Sequence, residues 1–319
     1  MPRRVSVILN PAAEAGQAGS RAAELQAALV AAGLAPTVHS TRSSGHATDL
    51  ARMAADSGSC DLIVAAGGDG TVREVASGIL QSTAPGTALG MVPLGTGNDY
   101  AHLAGIADLP SAVTALRTGS VCPMDVIAAT CRQAGQEVVT HALSFAAVGL
   151  AADVVRRTTP RIKRWFGPRL CYSVGFFRAL AHYRPVNAKV TCEGRTYHDD
   201  FLLICAGNTS HAGGRMMHLS PGARPDDGRM NLSLIRATRR LEVALQFVRL
   251  LRGTHIRHRR ASYFPGREMT VATAEPADVQ LDGDLVGHTP ARFQLLPGAL
   301  PILSAAAHRV GSRAPDSRR

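Results

Sequence analysis

A buried strand that runs into a glycine-rich turn limits, more than any other feature, what this chain can fold into. Residues 61–66 (DLIVAA) form a continuous apolar run, which is typical of a strand covered on both faces of a sheet. The turn 67–70 (GGDG) follows, and a helical pattern begins at Thr71. Glycines let the backbone approach a ligand closely, and the free N–H groups at a helix start favour an anion. The segment therefore predicts a phosphate-binding turn, although a tight turn without a ligand fits the same residues.

The first third of the chain alternates strand and helix patterns around this segment. Such alternation predicts a parallel sheet with crossover helices. The predicted strands are 5–10, 37–41, 61–66 and 88–93, and the predicted helices are 21–32, 46–55, 71–80 and 111–118.

A second glycine-rich loop, 93–99 (PLGTGND), follows the strand 88–93. Neighbouring parallel strands that both end in such loops build one crevice at the carboxyl edge of the sheet. Asp69 and Asp99 would bring carboxylates to a phosphate there, which makes chemical sense mainly if Mg²⁺ bridges the two. This set of groups suits kinase chemistry, which depends on positioning and charge neutralisation. Each aspartate also fits the cap of the helix that follows it.

After about residue 120 the pattern changes to strands separated by Gly, Pro and Asp turns, which predicts a mainly β second domain. We expect an α/β domain over 1–120, a β domain over 121–305 and a frayed basic tail over 306–319. The predicted strands of the second domain are 138–148, 188–193, 201–206, 230–236, 269–273 and 279–281, and its predicted helices are 169–182 and 241–251.

Arginine dominates the charge of the chain. Lysine and arginine total 35 against 24 acidic residues, a net charge of +11, and Lys163 and Lys189 are the only lysines. Neither lysine lies in a P-loop motif and the protein-kinase signatures are missing, so a phosphate site must be built differently. The charge favours an anionic partner or a solvated arginine-rich surface. Nucleic-acid binding would require aromatic residues within basic segments. Only Trp165 and Phe166 qualify and no binding motif is recognised, so we expect no nucleic-acid partner.

The ordered set of motifs resembles the diacylglycerol kinase catalytic-domain family, in its bacterial lipid kinase branch, which is related to sphingosine kinases and NAD kinases. The loops 67–71 and 93–99 resemble the two hallmark loops of that family. NAD kinases share the GGDG turn, so specificity comes from the whole ordered set. The other matching segments are Asn10 with Pro11, Thr41 with 45–47, 221–223 with 226–228, and 281–284.

This resemblance implies a doubly wound, NAD-kinase-like α/β domain at the N-terminus and a β-sandwich domain at the C-terminus. It places the active site in the cleft between them and returns part of 291–303 to the first domain. It also implies ATP and Mg²⁺ as cofactors, with Asp69 beside the phosphates and the metal. The residues that it assigns to the nucleotide site are Asn10, Thr41, Gly67, Gly68, Asp69, Gly70, Thr71, Val72, Arg73, Gly95, Thr96, Asn98 and Asp99.

The general base is assigned by resemblance to a late turn. The family often has Asp-Gly-Glu there, with the glutamate as the base, whereas this chain has Asp282-Gly283-Asp284, one methylene shorter. Asp284 is the base if the turn moves inward, and otherwise Asp282 takes more of the role. A plain Asp-Gly hairpin turn fits the same residues.

Asp227 resembles the family's ligand for a structural Mg²⁺ ion. Backbone carbonyls near Arg224 and Arg229 would complete that metal site. A turn aspartate without a metal is the alternative.

The segment 156–166 (RRTTPRIKRWF) combines five cations with the only tryptophan of the chain. Basic residues attract acidic lipids, and Trp165 and Phe166 can seat at the interface, so we expect this segment to dock on an anionic membrane. A solvated basic loop with Trp165 in the core is the alternative, and 249–260 is a second candidate for docking. No apolar run approaches the ~20 residues of a spanning helix, and no secretory signal is recognised, so we expect a cytoplasmic protein that associates peripherally with membranes.

Together these features predict an ATP- and Mg²⁺-dependent lipid kinase that phosphorylates the hydroxyl of a diacylglycerol-like lipid. A kinase of another lipid alcohol, such as a sphingoid base or phosphatidylglycerol, is the first alternative. A nucleotide-binding regulatory homologue with weak turnover is the second, and the shortened Asp284 is its support. The sequence does not identify the lipid, and it is compatible with a homodimer.

Overall fold

The computed structural model describes residues 3–16, 18–84, 86–95, 97–212 and 217–305. The chain divides into two units. Unit 1 comprises Met1–Met124 with Gly298–Arg319, and unit 2 comprises Asp125–Pro297. The predicted tail, 306–319, lies outside the described residues.

Unit 1 is built on a parallel sheet whose strands alternate with helices. The strands are β1 (Arg4–Leu9), β2 (Ala35–Ser40), β3 (Leu62–Gly67) and β4 (Ala88–Pro93). The helices are α1 (Ala13–Gly16), α2 (Ala22–Ala31), α3 (His46–Asp56), α4 (Asp69–Leu80), α5 (Asp99–Leu103) and α6 (Leu109–Thr118).

The strand order of this sheet is β2-β1-β3-β4, and every pairing is parallel. The chain therefore moves one way from β1 to β2 and the other way from β2 to β3. Right-handed crossovers in opposite directions place their helices on opposite faces of the sheet. β3 is therefore covered on both faces, and all its residues are buried. α3 packs on α4, and Gly78 permits this contact, since a Cβ there would lie 2.2 Å from the Thr48 carbonyl oxygen.

Unit 2 is mainly antiparallel β structure with three helices. Its strands are β5 (Ser120–Gln133), β6 (Gln136–Ala142), β7 (Phe145–Gly149), β8 (Val186–Cys192), β9 (Arg195–Gly207), β10 (Met230–Arg236), β11 (Ala261–Gly266), β12 (Glu268–Thr273), β13 (Asp278–Leu281) and β14 (Asp284–Ser304). Its helices are α7 (Leu150–Arg157), α8 (Pro160–Ala181) and α9 (Arg240–Leu251), with a 3₁₀ turn at His255–Arg257. β14 continues into unit 1, where Ile302 pairs in parallel with Leu89 of β4.

The sheet of unit 2 has buried side chains on both of its faces. On β7, Ala146 and Val148 face a core formed among the strands, whereas Phe145 and Ala147 pack under the helices. This period of two gives a layer of helices on one side of the sheet and strands on the other. The structure confirms the predicted α/β domain followed by a mainly β domain.

Two element predictions in unit 2 are wrong. The predicted strand 138–148 is two strands, because Leu143 and Ser144 donate their N–H groups to the carboxylate of Asp282 instead of to a ladder. The predicted helix 169–182 begins nine residues earlier, at Pro160, which occupies a first-turn position where its fixed φ and missing N–H are compatible with a helix. The helix α7, which precedes it, was not predicted.

His141 makes the stability of unit 2 sensitive to acid. It is buried on β6, its Nδ1 has no partner among the described residues, and burial lowers its pKa from 6.5 to about 4. Between pH 6.5 and 4 the unfolded chain takes up a proton that the folded chain excludes, so stability falls over this window by about 3 kcal/mol from this group. His141→Leu is expected to remove that part of the loss, measured as the difference in denaturant midpoint between pH 7 and pH 4.

His198→Leu, at an exposed histidine of β9, is the matched control and is expected to keep the pH dependence of the wild type. Equal pH dependence in wild type and His141→Leu would contradict the assignment to His141.

Candidate functional site

The order of the strands in unit 1 reverses between β1 and β3, and open α/β sheets bind ligands at the carboxyl edge of such a point. Asn10 follows β1 there, and its backbone N–H bonds to the Ala66 carbonyl oxygen of β3 at 3.0 Å. Its Nδ2 donates to Oγ1 of Thr71, in the first turn of α4, at 3.1 Å. The residues predicted after β1 and after β3 therefore lie together.

The two glycine-rich loops touch each other. Leu94 donates its N–H to the carbonyl oxygen of Gly67 at 2.9 Å. A Cβ on Gly95 would lie 2.4 Å from Cα of Gly68, a separation that only glycine permits. Asn98 closes the second loop: its Oδ1 accepts from the Gly95 N–H at 2.9 Å, and its Nδ2 donates to the Gly95 carbonyl oxygen at 2.7 Å.

Asp69 links the two loops through its carboxylate, which accepts the backbone N–H of Tyr100 in α5 at 3.2 Å. α4 begins at Asp69 with Gly68 in the cap position, so the alternative of Asp69 as a cap for a helix at Thr71 is wrong. Asp99 is likewise the first residue of α5 and not its cap, a position that Asn98 holds with φ at 51°.

Twelve of the thirteen predicted nucleotide-site residues are described, and all lie at or after the carboxyl ends of β1–β4. Thr41 follows β2 and donates its N–H to the Leu9 carbonyl oxygen at 2.8 Å. Val72 is buried and Arg73 half-buried on α4, and Thr96 lies outside the described residues. The N–H groups at the start of α4 and the contact of two glycines form an edge that can accommodate phosphate oxygens.

In unit 2, Asp282 and Gly283 form the two-residue turn between β13 and β14. Their φ angles are 50° and 91°, as a type I′ turn requires, so these residues form a β-hairpin turn. The Asp282 carboxylate accepts the N–H groups of Leu143, Ser144 and Phe145 at 2.8, 3.0 and 2.7 Å. Three charge-assisted bonds fix this carboxylate and tie the turn to the segment before β7.

Asp284 is the first residue of β14, pairs with Leu281, and has an exposed side chain. The anchored turn sets the position of its backbone. Of the two predicted base residues, Asp282 is therefore engaged in holding the turn, and Asp284 is the more exposed.

Sequence reasoning missed Tyr172. A Cβ built on Gly283 would lie 3.4 Å from Oη of Tyr172, which places this hydroxyl of α8 beside the turn. No sequence pattern relates a helical tyrosine to a turn that is more than a hundred residues away.

Asp227 lies in a turn shared with a second carboxylate, Asp125. Asp125 is buried and accepts the Gly228 N–H at 2.7 Å, and Asp227 accepts the Arg229 N–H at 3.0 Å. Burial, assisted by the negative charge of Asp125, raises the pKa of Asp227. Asp125 was not predicted, and only the fold brings it to this turn.

This pair fits Mg²⁺, which takes one or two carboxylates together with neutral oxygens. A cation beside Asp227 would offset the negative charge of Asp125, which adds to the effect of burial on the pKa of Asp227. The guanidinium of Arg224 bonds to Asp226 at 3.1 Å. Because a guanidinium has no acceptor to offer a cation, Arg224 and Arg229 could contribute only their backbone carbonyls. Among the described residues, no group of three or more His, Cys, Asp or Glu side chains is placed to hold a metal.

Two protein-family models match the chain. The diacylglycerol kinase catalytic domain matches residues 4–129, and the YegS C-terminal NAD kinase beta sandwich-like domain matches residues 144–304. Together they include nearly all of the residues described above.

Curated relatives and solved structures agree with these models. The diacylglycerol kinase of Bacillus subtilis (strain 168) is 27% identical over 91% of this chain and 93% of its own. The diacylglycerol kinase of Staphylococcus carnosus (strain TM300) is 26% identical over 92% of each chain. The crystal structure of a putative diacylglycerol kinase from Bacillus anthracis str. Sterne is 24% identical, covers 96% of both chains and superposes with a TM-score of 0.76, a likeness of fold.

Proposed function

The chain belongs to the diacylglycerol kinase catalytic-domain family and is a kinase of an alcohol group, and we propose that it transfers the γ-phosphoryl group of ATP, with Mg²⁺, to the hydroxyl of a diacylglycerol-like lipid. The observation that carries the proposal is the contact of Gly68, after β3, with Gly95, after β4, at the carboxyl edge of the unit 1 sheet. At this edge the N–H groups in the first turn of α4 would bind the phosphates of a nucleotide.

In the proposed reaction, the oxygen of the lipid hydroxyl attacks the γ-phosphorus and the bond to the β-phosphate oxygen breaks, which releases ADP. Asp284 accepts the proton of the hydroxyl as the new bond forms. Asp282 is a positioning residue, since its three backbone hydrogen bonds fix the turn from which Asp284 extends.

The structure offers carboxylates for Mg²⁺ in each unit. Asp69 would hold the ion that accompanies the nucleotide, and Asp227 with Asp125 would hold a structural ion. Bound Mg²⁺ supplies neutralisation of phosphate charge in phosphoryl transfer. Asp69 also holds the two loops in register through Tyr100, so its carboxylate orients the phosphate-binding edge directly.

We propose that the protein binds its lipid substrate at an anionic membrane surface. No helix among the described residues is both long and apolar enough to cross a bilayer. In the predicted docking segment 156–166, Arg156 and Arg157 end α7 and the rest includes the start of α8. The side chains of Trp165 and Phe166 lie outside the described residues, so docking by this segment stays a prediction, as does a homodimer.

The test is to incubate the purified protein with γ-labelled ATP, Mg²⁺ and vesicles of a mixed lipid extract, and then to resolve the organic phase. We expect a labelled phospholipid that comigrates with phosphorylated diacylglycerol. A different labelled lipid would replace the proposed substrate with another lipid alcohol. ATP binding without turnover would overturn the proposal in favour of a regulatory nucleotide-binding protein.

A further inference from the structure

Helix α9 of unit 2 carries an apolar stripe on its solvent side. Leu241, Leu245 and Val248 are 76%, 62% and 48% exposed. Their spacing of four and three residues puts them on one face of the helix, opposite the buried Val243. Large side chains that are exposed at helical spacing form a continuous apolar surface, which marks an interaction site.

The stripe is fixed to the body of unit 2 and extended by a second helix. Phe247 of α9 stacks on Phe176 of α8, with ring centroids 4.2 Å apart. Phe177, which is 56% exposed, meets the same Phe247 ring edge-on at 5.9 Å. The aromatic contacts hold α9 in place and add the exposed Phe177 ring to its apolar surface.

Arginines surround this surface, and the one acidic residue of the segment is already engaged. Between residues 237 and 260 the only acid is Glu242, which pairs with His258 at 3.0 Å and accepts from the Thr238 hydroxyl. Six arginines of the segment are exposed, and none of them forms an ion pair with a carboxylate within the described part of the chain. These residues are Arg239, Arg240, Arg249, Arg252, Arg257 and Arg259.

We propose that α9 with Phe177 is the face by which this protein docks on an anionic lipid bilayer, an inference that rests on the proposed lipid substrate. An apolar stripe flanked by arginines is the pattern of a helix that lies in a membrane interface. The apolar side chains enter the acyl boundary while the guanidinium groups meet the headgroup phosphates. A second copy of the chain would bring the same arginines against one another, so charge complementarity favours the lipid over self-association.

The experiment is vesicle co-sedimentation of the whole chain without nucleotide. Phosphatidylcholine vesicles with and without an equal part of phosphatidylglycerol are compared for wild type, Leu241→Gln/Leu245→Gln and Arg249→Gln/Arg252→Gln. We expect wild type to bind the anionic vesicles selectively and the leucine variant to bind them at least ~10-fold more weakly. The arginine variant should lose roughly fivefold per charge and most of its preference for phosphatidylglycerol.

Val139→Gln is the matched control, because Val139 is 57% exposed on β6 of the same unit. It should bind as wild type does, and all variants should keep the wild-type melting temperature. Equal vesicle binding by wild type and the leucine variant would overturn the proposal. So would light scattering that shows a wild-type dimer and a monomeric leucine variant, which would assign the face to a second copy.

Kinase activity is measured separately, on diacylglycerol in detergent micelles. The leucine variant should keep its rate there while losing rate on vesicles. A wild type that is inactive in micelles would contradict the proposed function. The vesicle-binding result would still decide independently whether α9 with Phe177 docks on an anionic bilayer.

Discussion

Asp284→Asn is expected to slow phosphorylation of the lipid by about 10²–10⁴-fold, the usual contribution of a general base. The amide keeps the size and exposure of the side chain but cannot take the proton of the hydroxyl. The melting temperature should stay within a degree or two of wild type, because the Asp284 side chain is exposed at the start of β14. The measurement is kcat on micellar diacylglycerol beside a thermal unfolding curve. Asp284→Glu restores a carboxylate one methylene longer and should recover much of the rate.

The matched variant is Asp282→Asn, which is expected to act on stability. Its Oδ1 can still accept the N–H groups of Ser144 and Phe145, but its Nδ2 faces the N–H of Leu143, donor against donor. One backbone donor left without a partner costs about 1–3 kcal/mol. The melting temperature should fall by several degrees, and activity at low temperature should fall less than in Asp284→Asn.

The two variants decide between the two aspartates. If Asp284→Asn keeps most of the wild-type rate while Asp282→Asn is folded and inactive, the base is Asp282 and the roles assigned above are reversed. If both fold and neither loses rate, this turn does not supply the base.

The sequence was sufficient wherever a residue's role depends on its neighbours along the chain. The run 61–66 predicted a buried strand, and the glycines after it predicted a turn against a helix. Since parallel strands present their carboxyl ends on one edge, the loops after β1–β4 could be placed together without knowledge of any long-range contact. Most of this loop-bearing edge of the sheet was predictable for this reason.

Unit 2 was predictable only in part, because its site residues are fixed by distant segments. The Asp282 carboxylate bonds to backbone groups 137–139 residues earlier in the chain. Asp125 meets the Asp227 turn across about a hundred residues, and Tyr172 reaches Gly283 from a helix. No local pattern specifies such meetings, and the strand prediction over 138–148 failed at the point where those backbone groups bond to Asp282.

The start of α8 shows a conflict between local signals. A helix was predicted from 169, just after Gly167 and Pro168, which usually end or break helices. The helix instead begins at Pro160 and runs through both residues. Packing against α7 outweighs their low helix propensity, an influence that single-sequence reasoning does not include.

Gly95→Ala is expected to raise the dissociation constant for ATP at least ~10-fold. The new Cβ would lie 2.4 Å from Cα of Gly68 and 2.8 Å from Oδ1 of Asn98. The first of these is a backbone atom that cannot rotate away, so the two glycine-rich loops must separate. Overpacking of this kind also destabilises by about 1–3 kcal/mol. The measurement is calorimetric titration with a non-hydrolysable ATP analogue and Mg²⁺, beside the melting temperature.

Two further alanine variants should weaken binding of the analogue less than Gly95→Ala does. A Cβ on Gly68 would lie 3.2 Å from Cα of Gly95, so Gly68→Ala should weaken binding less than Gly95→Ala. Gly19→Ala is the control, because the atom nearest to its Cβ would be Cβ of Pro11, at 3.3 Å, and it should bind the analogue as wild type does. If Gly95→Ala binds the analogue within twofold of wild type at an unchanged melting temperature, the contact of the two loops does not form the phosphate site. The proposed assignment of the nucleotide to unit 1 depends on that contact. The helix N-terminus beside it would bind many anions. Two touching glycine-rich loops would instead hold a chain of phosphates in one position.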